Sequence, residues 1–216
     1  MNATLEHFAG MIAHELRNPL ASATTNLAVV RELSEEGDPR APFLKQAEKE
    51  MVRIRDLLKS CLDFATAGKV TPKESDLGEL LETIAQKIRN SHPALQVEVV
   101  IRGNPRAPID ELLFQRAVAN LCENAAKVLK GDGVLRLSFE GGKESFSVRV
   151  EDSGPGLPLD LLDRMFEPFI TGTNSSGLGL PFVKKVVEAH GGYVTPASSS
   201  LGGACFEICL PNGLES

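Results

Sequence analysis

Leu44, Ala47, Met51, Ile54, Leu58, Cys61 and Ala65 follow one another in alternating steps of three and four residues. No other feature restricts the fold so tightly, because this spacing keeps the apolar side chains on one stripe of one long helix and suits no strand. A noisier stripe precedes it: Leu5, Phe8, Ile12, Leu16, Leu20, Ala23, Leu27 and Val30 predict a second helix. Between them, Ser34 to Arg40 contains Gly37, Asp38 and Pro39, residues that break helices. The product is a helical hairpin. A hairpin has too little core to stand alone, so the seam predicts a homodimer in which two hairpins form an antiparallel four-helix bundle. Packing of the hairpin on the rest of its own chain is the alternative.

The pattern changes beyond Thr66. Thr66 to Ser75 is polar, with Gly68 and Pro72. The division expected is a hairpin over residues 1–67, a linker over 68–75 and a second domain over 76–216. Asp76 and Glu79 stand at capping-box spacing and open a helix. Residues 97–101 read as a strand and 110–129 as a helix starting at Asp110. Strands follow at 134–139 and 145–151, where Phe146, Val148 and Val150 alternate with polar neighbours. A helix runs from Gly179 to about His190, and strands close the chain near 192–197 and 203–210. Helices and hairpins without regular alternation predict an α+β sandwich, one mixed sheet under a few helices.

Composition removes some classes of function. A formal net charge of −6 argues against a protein built to grip nucleic acid, although a few amides and one lysine still suffice for a nucleotide. Cys61, Cys122, Cys205 and Cys209 form no CxxC pair and match no common zinc spacing, so they read as reduced thiols of a cytoplasmic protein. The sequence contains no apolar run of the roughly 20 residues that would cross a bilayer, and its start lacks the signature of a signal peptide.

Four stretches carry chemistry. In Phe8 to Leu20, His14 lies about 160° around the helix from both Ile12 and Leu16, so a core on that stripe turns the imidazole to solvent. Pro19 cannot donate to the Glu15 carbonyl and bends the helix just below His14. Glu15 is placed to accept a ring proton as the other nitrogen attacks. The HExxH zinc pattern fails, because its second histidine is Asn18 here. Asn120, Asn124 and Lys127 share one helix face, where amide oxygens suit Mg²⁺ and a lysine suits phosphate. Asp152 ends a strand and precedes Gly154 and Gly156, an arrangement suited to the exocyclic amine of adenine. Gly177-Leu178-Gly179-Leu180 opens a helix whose amides can face an anion, behind the polar stretch Thr171 to Ser176, which would be a lid. Taken singly, each has a bland reading: a surface histidine, a solvated helix face, a Gly-Pro turn, a lone GxG.

Together and in this order they resemble the histidine kinase family of two-component systems. His14 to Leu20 is similar to its H box, Asn120 to Lys127 to its N box, Asp152 to Gly156 to its G1 box, Phe166-Glu167-Pro168-Phe169 to its F box, and Gly177 to Leu180 to its G2 box. The resemblance spans residues 2–212. It implies a dimerisation and phosphotransfer hairpin joined to an ATP-binding domain of Bergerat (GHKL) type. By that likeness His14 is the phospho-accepting nucleophile and Glu15 its base, while Asn18 positions water when a partner is dephosphorylated. Asn124, assisted by Asn120, would hold Mg²⁺, and Lys127 would contact phosphate. Asp152 would read adenine, with Gly154, Gly156, Phe166, Gly177, Leu178 and Gly179 shaping the pocket. ATP and Mg²⁺ are the implied cofactors. The implied partners are a second copy, the receiver domain of a response regulator, and an upstream sensor domain or protein.

Three departures stand out. Val128 and Leu129 occupy positions where such families often carry an aromatic residue, the 171–176 lid has no Lys or Arg, and Ser175 replaces a glycine. These read as tuning nucleotide affinity, with one phosphate contact missing or supplied elsewhere. Two other readings compete: a phosphotransfer module with a degenerate ATP site, and another Bergerat-fold ATPase with Glu123 as the base that activates water.

Overall fold

A computed structural model describes Leu16 and residues 19–34, 38–158, 161–170 and 177–213. They fall into two compact units, Met1–Thr66 and Ala67–Ser216.

In the first unit, helix α1 covers residues 19–32 and α2 covers Ala41–Thr66. The turn between them is set by Asp38, whose carboxylate accepts from the Arg40 amide at 2.8 Å and from its guanidinium, also at 2.8 Å. That side-chain hydrogen bond, reinforced by the backbone one, holds the Asp38 carboxyl down at about 2. Arg31 reaches Glu48 at 3.0 Å across the hairpin, an exposed pair that contributes at most about 1 kcal/mol. No described side chain of this unit is buried, and Ile54, in the middle of the seam, is 43% exposed.

Among the described residues, the second unit has seven strands and three helices. In chain order they are β1 (Lys73–Asp76), α3 (Leu77–Ser91), β2 (Leu95–Arg102), β3 (Arg106–Ile109), α4 (Glu111–Leu129), β4 (Gly133–Gly141), β5 (Ser145–Asp152), α5 (Gly179–Ala189), β6 (Tyr193–Ser198) and β7 (Ala204–Pro211). The main sheet runs β2-β4-β5-β7-β6, with β2 and β4 parallel and the other pairs antiparallel. This is the expected mixed sheet under helices. Alternation along β4 and β5 turns Leu135, Leu137, Phe139, Phe146, Val148 and Val150 inward, and register places Leu137 beside Val150 and Val148 beside Ile208. The opposite face carries ion pairs, Arg149–Glu207 and Arg136–Glu98, each at 2.8 Å.

Helix starts follow from their caps. Asp76 Oδ1 accepts from the amides of Gly78 and Glu79 at 2.9 and 3.1 Å, which starts α3 as expected. Asp110 caps α4 through the Leu113 amide at 3.1 Å. α4 stops at Lys130, whose left-handed φ of 53° is followed by Gly131 at 89°. One departure from the sequence reading is a second, two-stranded sheet: residues 73–76, expected to be linker or helix cap, pair antiparallel with 106–109.

Asp110 is also a junction. Its carboxylate takes the Thr71 amide and hydroxyl at 3.0 and 3.1 Å, and its own amide donates to His190 Nε2 at 2.9 Å. Burial pushes the Asp110 carboxyl up, but the Thr71 and Leu113 amides and the Thr71 hydroxyl outweigh it and hold the group below its ordinary value. His190, 2% exposed, donates from Nδ1 to the Val186 carbonyl at 2.7 Å. Both ring nitrogens are thus committed to a neutral tautomer, and burial lowers the imidazole pKa. This link joins the end of α5 to the start of α4.

Candidate functional site

α4, α5, the end of β5 and the start of β7 enclose a cleft lined by Asn124, Lys127, Val128, Asp152, Gly156, Gly177 and Gly179. Leu121, Ala125, Val150, Met165, Ile170 and Phe206 supply its apolar walls.

The most constrained group is Asp152, 5% exposed at the last position of β5. Its Oδ1 accepts from the Gly154 amide at 2.8 Å and the Ala204 amide at 3.1 Å. Two amides on one oxygen fix the carboxylate's orientation and leave the other oxygen to a ligand. This seat needs glycine. A Cβ on Gly154 would lie 2.9 Å from Asp152 Oδ1, and one on Gly203 would lie 2.2 Å away. Gly203 was not among the expected site residues. Its signal was the Gly202-Gly203 pair opening the last strand, next in space to a carboxylate that is 51 positions away in the chain.

The polar wall is one face of α4. Asn124 and Lys127 reach the cleft, and Asn120 sits a turn earlier. A Cβ on Gly179 would lie 3.5 Å from Asn120 Oδ1 and 3.8 Å from Asn124 Nδ2, ordinary contact distances that place the start of α5 against both amides. The N-cap of α5 is Leu178, buried and with no side-chain cap hydrogen bond, so among the described residues no capping side chain occupies the Gly179 and Leu180 amides, donors of the kind that suit an anion.

The Phe169 amide donates to the Gly177 carbonyl at 2.9 Å, and both residues have left-handed backbone, φ 67° and 66°. A Cβ on Gly177 would meet the Phe169 carbonyl carbon at 2.6 Å. Phe166 and Gly154 stand behind the cleft wall: Phe166 packs edge-on against Phe206 with ring centres 6.4 Å apart, and Gly154 holds Asp152. Met165, Ile170 and Phe206 were also missed, since apolar residues in a wall carry no chemical signature. His14, Glu15, Asn18 and the expected lid, Thr171 to Ser176, lie outside the described residues, as does the expected bend's neighbour Arg17.

Chemically, the cleft pairs a fixed hydrogen-bond acceptor at one end with amide donors, side-chain amides and a lysine at the other. Among the described residues, no three His, Cys, Asp or Glu side chains cluster as a metal site, so a cation here would take most of its ligands from its substrate and water. Asn124 fits that role, offering a hard neutral oxygen. Glu123, in contrast, faces α3, with Oε2 3.9 Å from His92 Nε2.

Comparison with known proteins gives two family matches. Residues 4–69 match the His Kinase A (phospho-acceptor) domain, and residues 109–214 match the histidine kinase-, DNA gyrase B- and HSP90-like ATPase. The sensor-type histidine kinase PrrB of Mycobacterium leprae is 32% identical over 216 residues, 94% of this chain and 47% of that protein. The sensor histidine kinase ZraS of Escherichia coli K12 is 28% identical over 211 residues, 96% of this chain and 45% of ZraS. The chain spans less than half the length of these relatives. Among solved structures, full-length ShkA in complex with AMPPNP aligns with a TM-score of 0.79 at 22% identity, covering 97% of this chain and 47% of ShkA. The mycobacterial sensor histidine kinase MprB aligns at 0.60 and 27% identity, covering 65% of this chain and 97% of that one.

Proposed function

The chain belongs to the two-component histidine kinases and carries the two domains of their catalytic core, and from that premise we propose that it phosphorylates His14 with ATP and passes the phosphoryl group to an aspartate of a response regulator. The observation that carries the ATP half is the seat of Asp152. Four separate stretches of chain converge to hold that carboxylate beside Asn124, Lys127 and the open start of α5.

In this reading the adenine amine donates to the free oxygen of Asp152, and Gly156 and Gly177 let the backbone approach the base. Lys127 and the first amides of α5 receive the phosphates. Asn124, assisted by Asn120, would hold Mg²⁺, which supplies charge neutralisation at the phosphate oxygens. His14 attacks the terminal phosphorus with one ring nitrogen while Glu15 accepts the proton from the other. The Pγ–O bond to ADP breaks, and the departing oxygen stays in the phosphate site. Most of the rate enhancement comes from positioning and charge neutralisation.

The hairpin, residues 1–67, then serves as dimerisation and phosphotransfer domain and 76–216 as ATP-binding domain; of the expected linker, 68–75, residues 73–75 are already paired into the second unit's small sheet. Two features support the dimer: the a/d seam, and a hairpin with no buried side chain among its described residues. The partner aspartate lies on a receiver domain, and Asn18 orients the water that reverses the transfer. The signal reaches the hairpin from an upstream sensor. No helix among the described residues is long and apolar enough to cross a membrane, consistent with a core working on the cytoplasmic side.

Mixing the full chain with γ-labelled ATP tests the proposal. An acid-labile label that disappears in His14→Gln is expected. Binding of ATP with no label would leave a phosphotransfer module. Steady phosphate release that survives His14→Gln but not Glu123→Ala would make the protein an ATPase, although the position of Glu123 against His92 disfavours that outcome.

A further inference from the structure

Successive residues of a strand point to opposite faces of its sheet, so Glu151 and Asp152 carry two carboxylates to opposite sides at the end of β5. Asp152 faces the cleft. Glu151 lies on the other face, beside Arg136 and Arg149, and is only 9% exposed. A carboxylate so nearly buried is costly unless it is hydrogen-bonded, and all its donors among the described residues belong to one loop. Glu151 Oε1 accepts from the Ser200 amide at 3.0 Å, the Ser200 hydroxyl at 3.0 Å and the Ser199 hydroxyl at 3.4 Å. The Ser200 hydroxyl in turn accepts from the Arg136 guanidinium at 3.3 Å.

That loop, residues 199–203, joins β6 to β7 and is the one that seats Asp152. The Gly203 amide donates to the Asp152 carbonyl at 3.1 Å, and the next amide, of Ala204, donates to Asp152 Oδ1 at 3.1 Å. The Ser199 amide donates to the Gly203 carbonyl at 2.9 Å, so a shift at one end of the loop is carried to the other. Ser200 is exposed and its neighbours Ser199 and Leu201 are only partly buried. Apolar packing therefore does little to fix the loop, and hydrogen bonds must do it. We propose that Glu151 is a positioning residue for adenine recognition: it grips the 199–203 loop from the outer face of the sheet and so fixes the amides that orient Asp152 on the inner face. The inference deepens the ATP reading above and rests on it. A recognition group must be held to within about 0.5 Å, and charge-assisted hydrogen bonds are the strong kind suited to that task.

The test takes away the amine that Asp152 would receive. Calorimetry on the full chain compares Mg²⁺-ADP with the same complex of purine riboside 5′-diphosphate, which lacks only the exocyclic amine of adenine. The parent chain is expected to prefer ADP by about tenfold, the worth of a hydrogen bond to a charged acceptor. Glu151→Ala should weaken ADP about fivefold and leave the analogue within about twofold, so that most of the preference disappears. Glu151→Gln keeps an acceptor oxygen for the Ser200 amide and should recover most of it. Ser200→Ala removes only the hydroxyl of an exposed residue. It should roughly halve the preference, and it carries the comparison should Glu151→Ala not fold. Equal weakening of ADP and the analogue would mean that Glu151 serves only the stability of the sheet and would overturn the proposal, as would an unchanged preference. A parent chain that binds both ligands alike would sink the adenine contact of Asp152, and one that binds neither would sink the ATP reading; this inference falls with either.

Discussion

The hairpin and the sheet domain obey the same packing physics with opposite results. Every buried side chain among the described residues belongs to the second unit, where Phe114, Phe139, Leu137 and Ile208 form a closed core between helices and sheet. The first unit has an equally regular apolar pattern, yet its seam stays half-covered or exposed, from Leu44 through Ile54 to Cys61. A sheet with helices on one face has a second layer to bury against within one chain. Two helices side by side cover only part of each apolar stripe and leave the rest for another molecule. The difference teaches where each unit's stability resides on the proposed reading: within the protomer for the sheet domain and its cleft, and in dimerisation for the hairpin.

The sharpest way to break this comparison is Leu58→Asp. Two carboxylates forced into the dimer seam each cost several kcal/mol, so sedimentation should show a monomer at micromolar concentration and labelling of His14 should collapse, while ADP affinity holds within about twofold. A variant that remains dimeric would show that a second hairpin does not cover the seam. The reciprocal change is Phe114→Ala. It should cost the sheet domain about 3–5 kcal/mol and lower its melting transition, with the dimer preserved. Asp152→Asn sharpens the picture at the site: exchanging the fixed acceptor for an amide should weaken ATP and ADP alike by about ten- to a hundredfold, with no effect on sedimentation.

The smallest effect expected is with pH. Burial depresses the His190 pKa in the folded protein, so below about 6.5 the unfolded chain binds a proton that the native state resists. Stability from this group is complete above that value and is lost as pH falls toward the depressed folded value. The sheet domain's melting temperature should therefore decline from pH 7.5 to 5.5 while hairpin association changes less, and His190→Gln should flatten the slope.

Much of the second unit was legible because its signals are local. Asp76 and Asp110 announce helix starts with their own side chains, and Phe146, Val148 and Val150 announce a strand by alternation. The β1–β3 pair had no such signal. Lys-Glu-Ser-Asp is wholly polar, and its partner strand contains Pro108, so only tertiary pairing makes them strands. The site divides in the same way. Asp152, Asn124 and the glycines of residues 154–156 and 177–179 declare themselves by residue type and spacing. Gly203 and His190 do not, because what each does depends on a partner far along the chain: Asp152 for the one and the Asp110 amide for the other.

By itself, the sequence determined the helical period of residues 44–65, the order of the motifs, and which side chains bear charge or donors at the nucleotide face. These are properties of neighbours three to seven positions apart, where helix and strand geometry already dictates the face. Only the tertiary structure decided that Asp152 would be held by amides from both sides, that α5 would begin against Asn120 and Asn124, and that Glu123 would turn to α3 instead of the cleft. Those outcomes depend on contacts between residues about 30 to 60 positions apart. A contact of that kind forms only after the chain has offset the entropy of closing the loop between, and no local pattern records it.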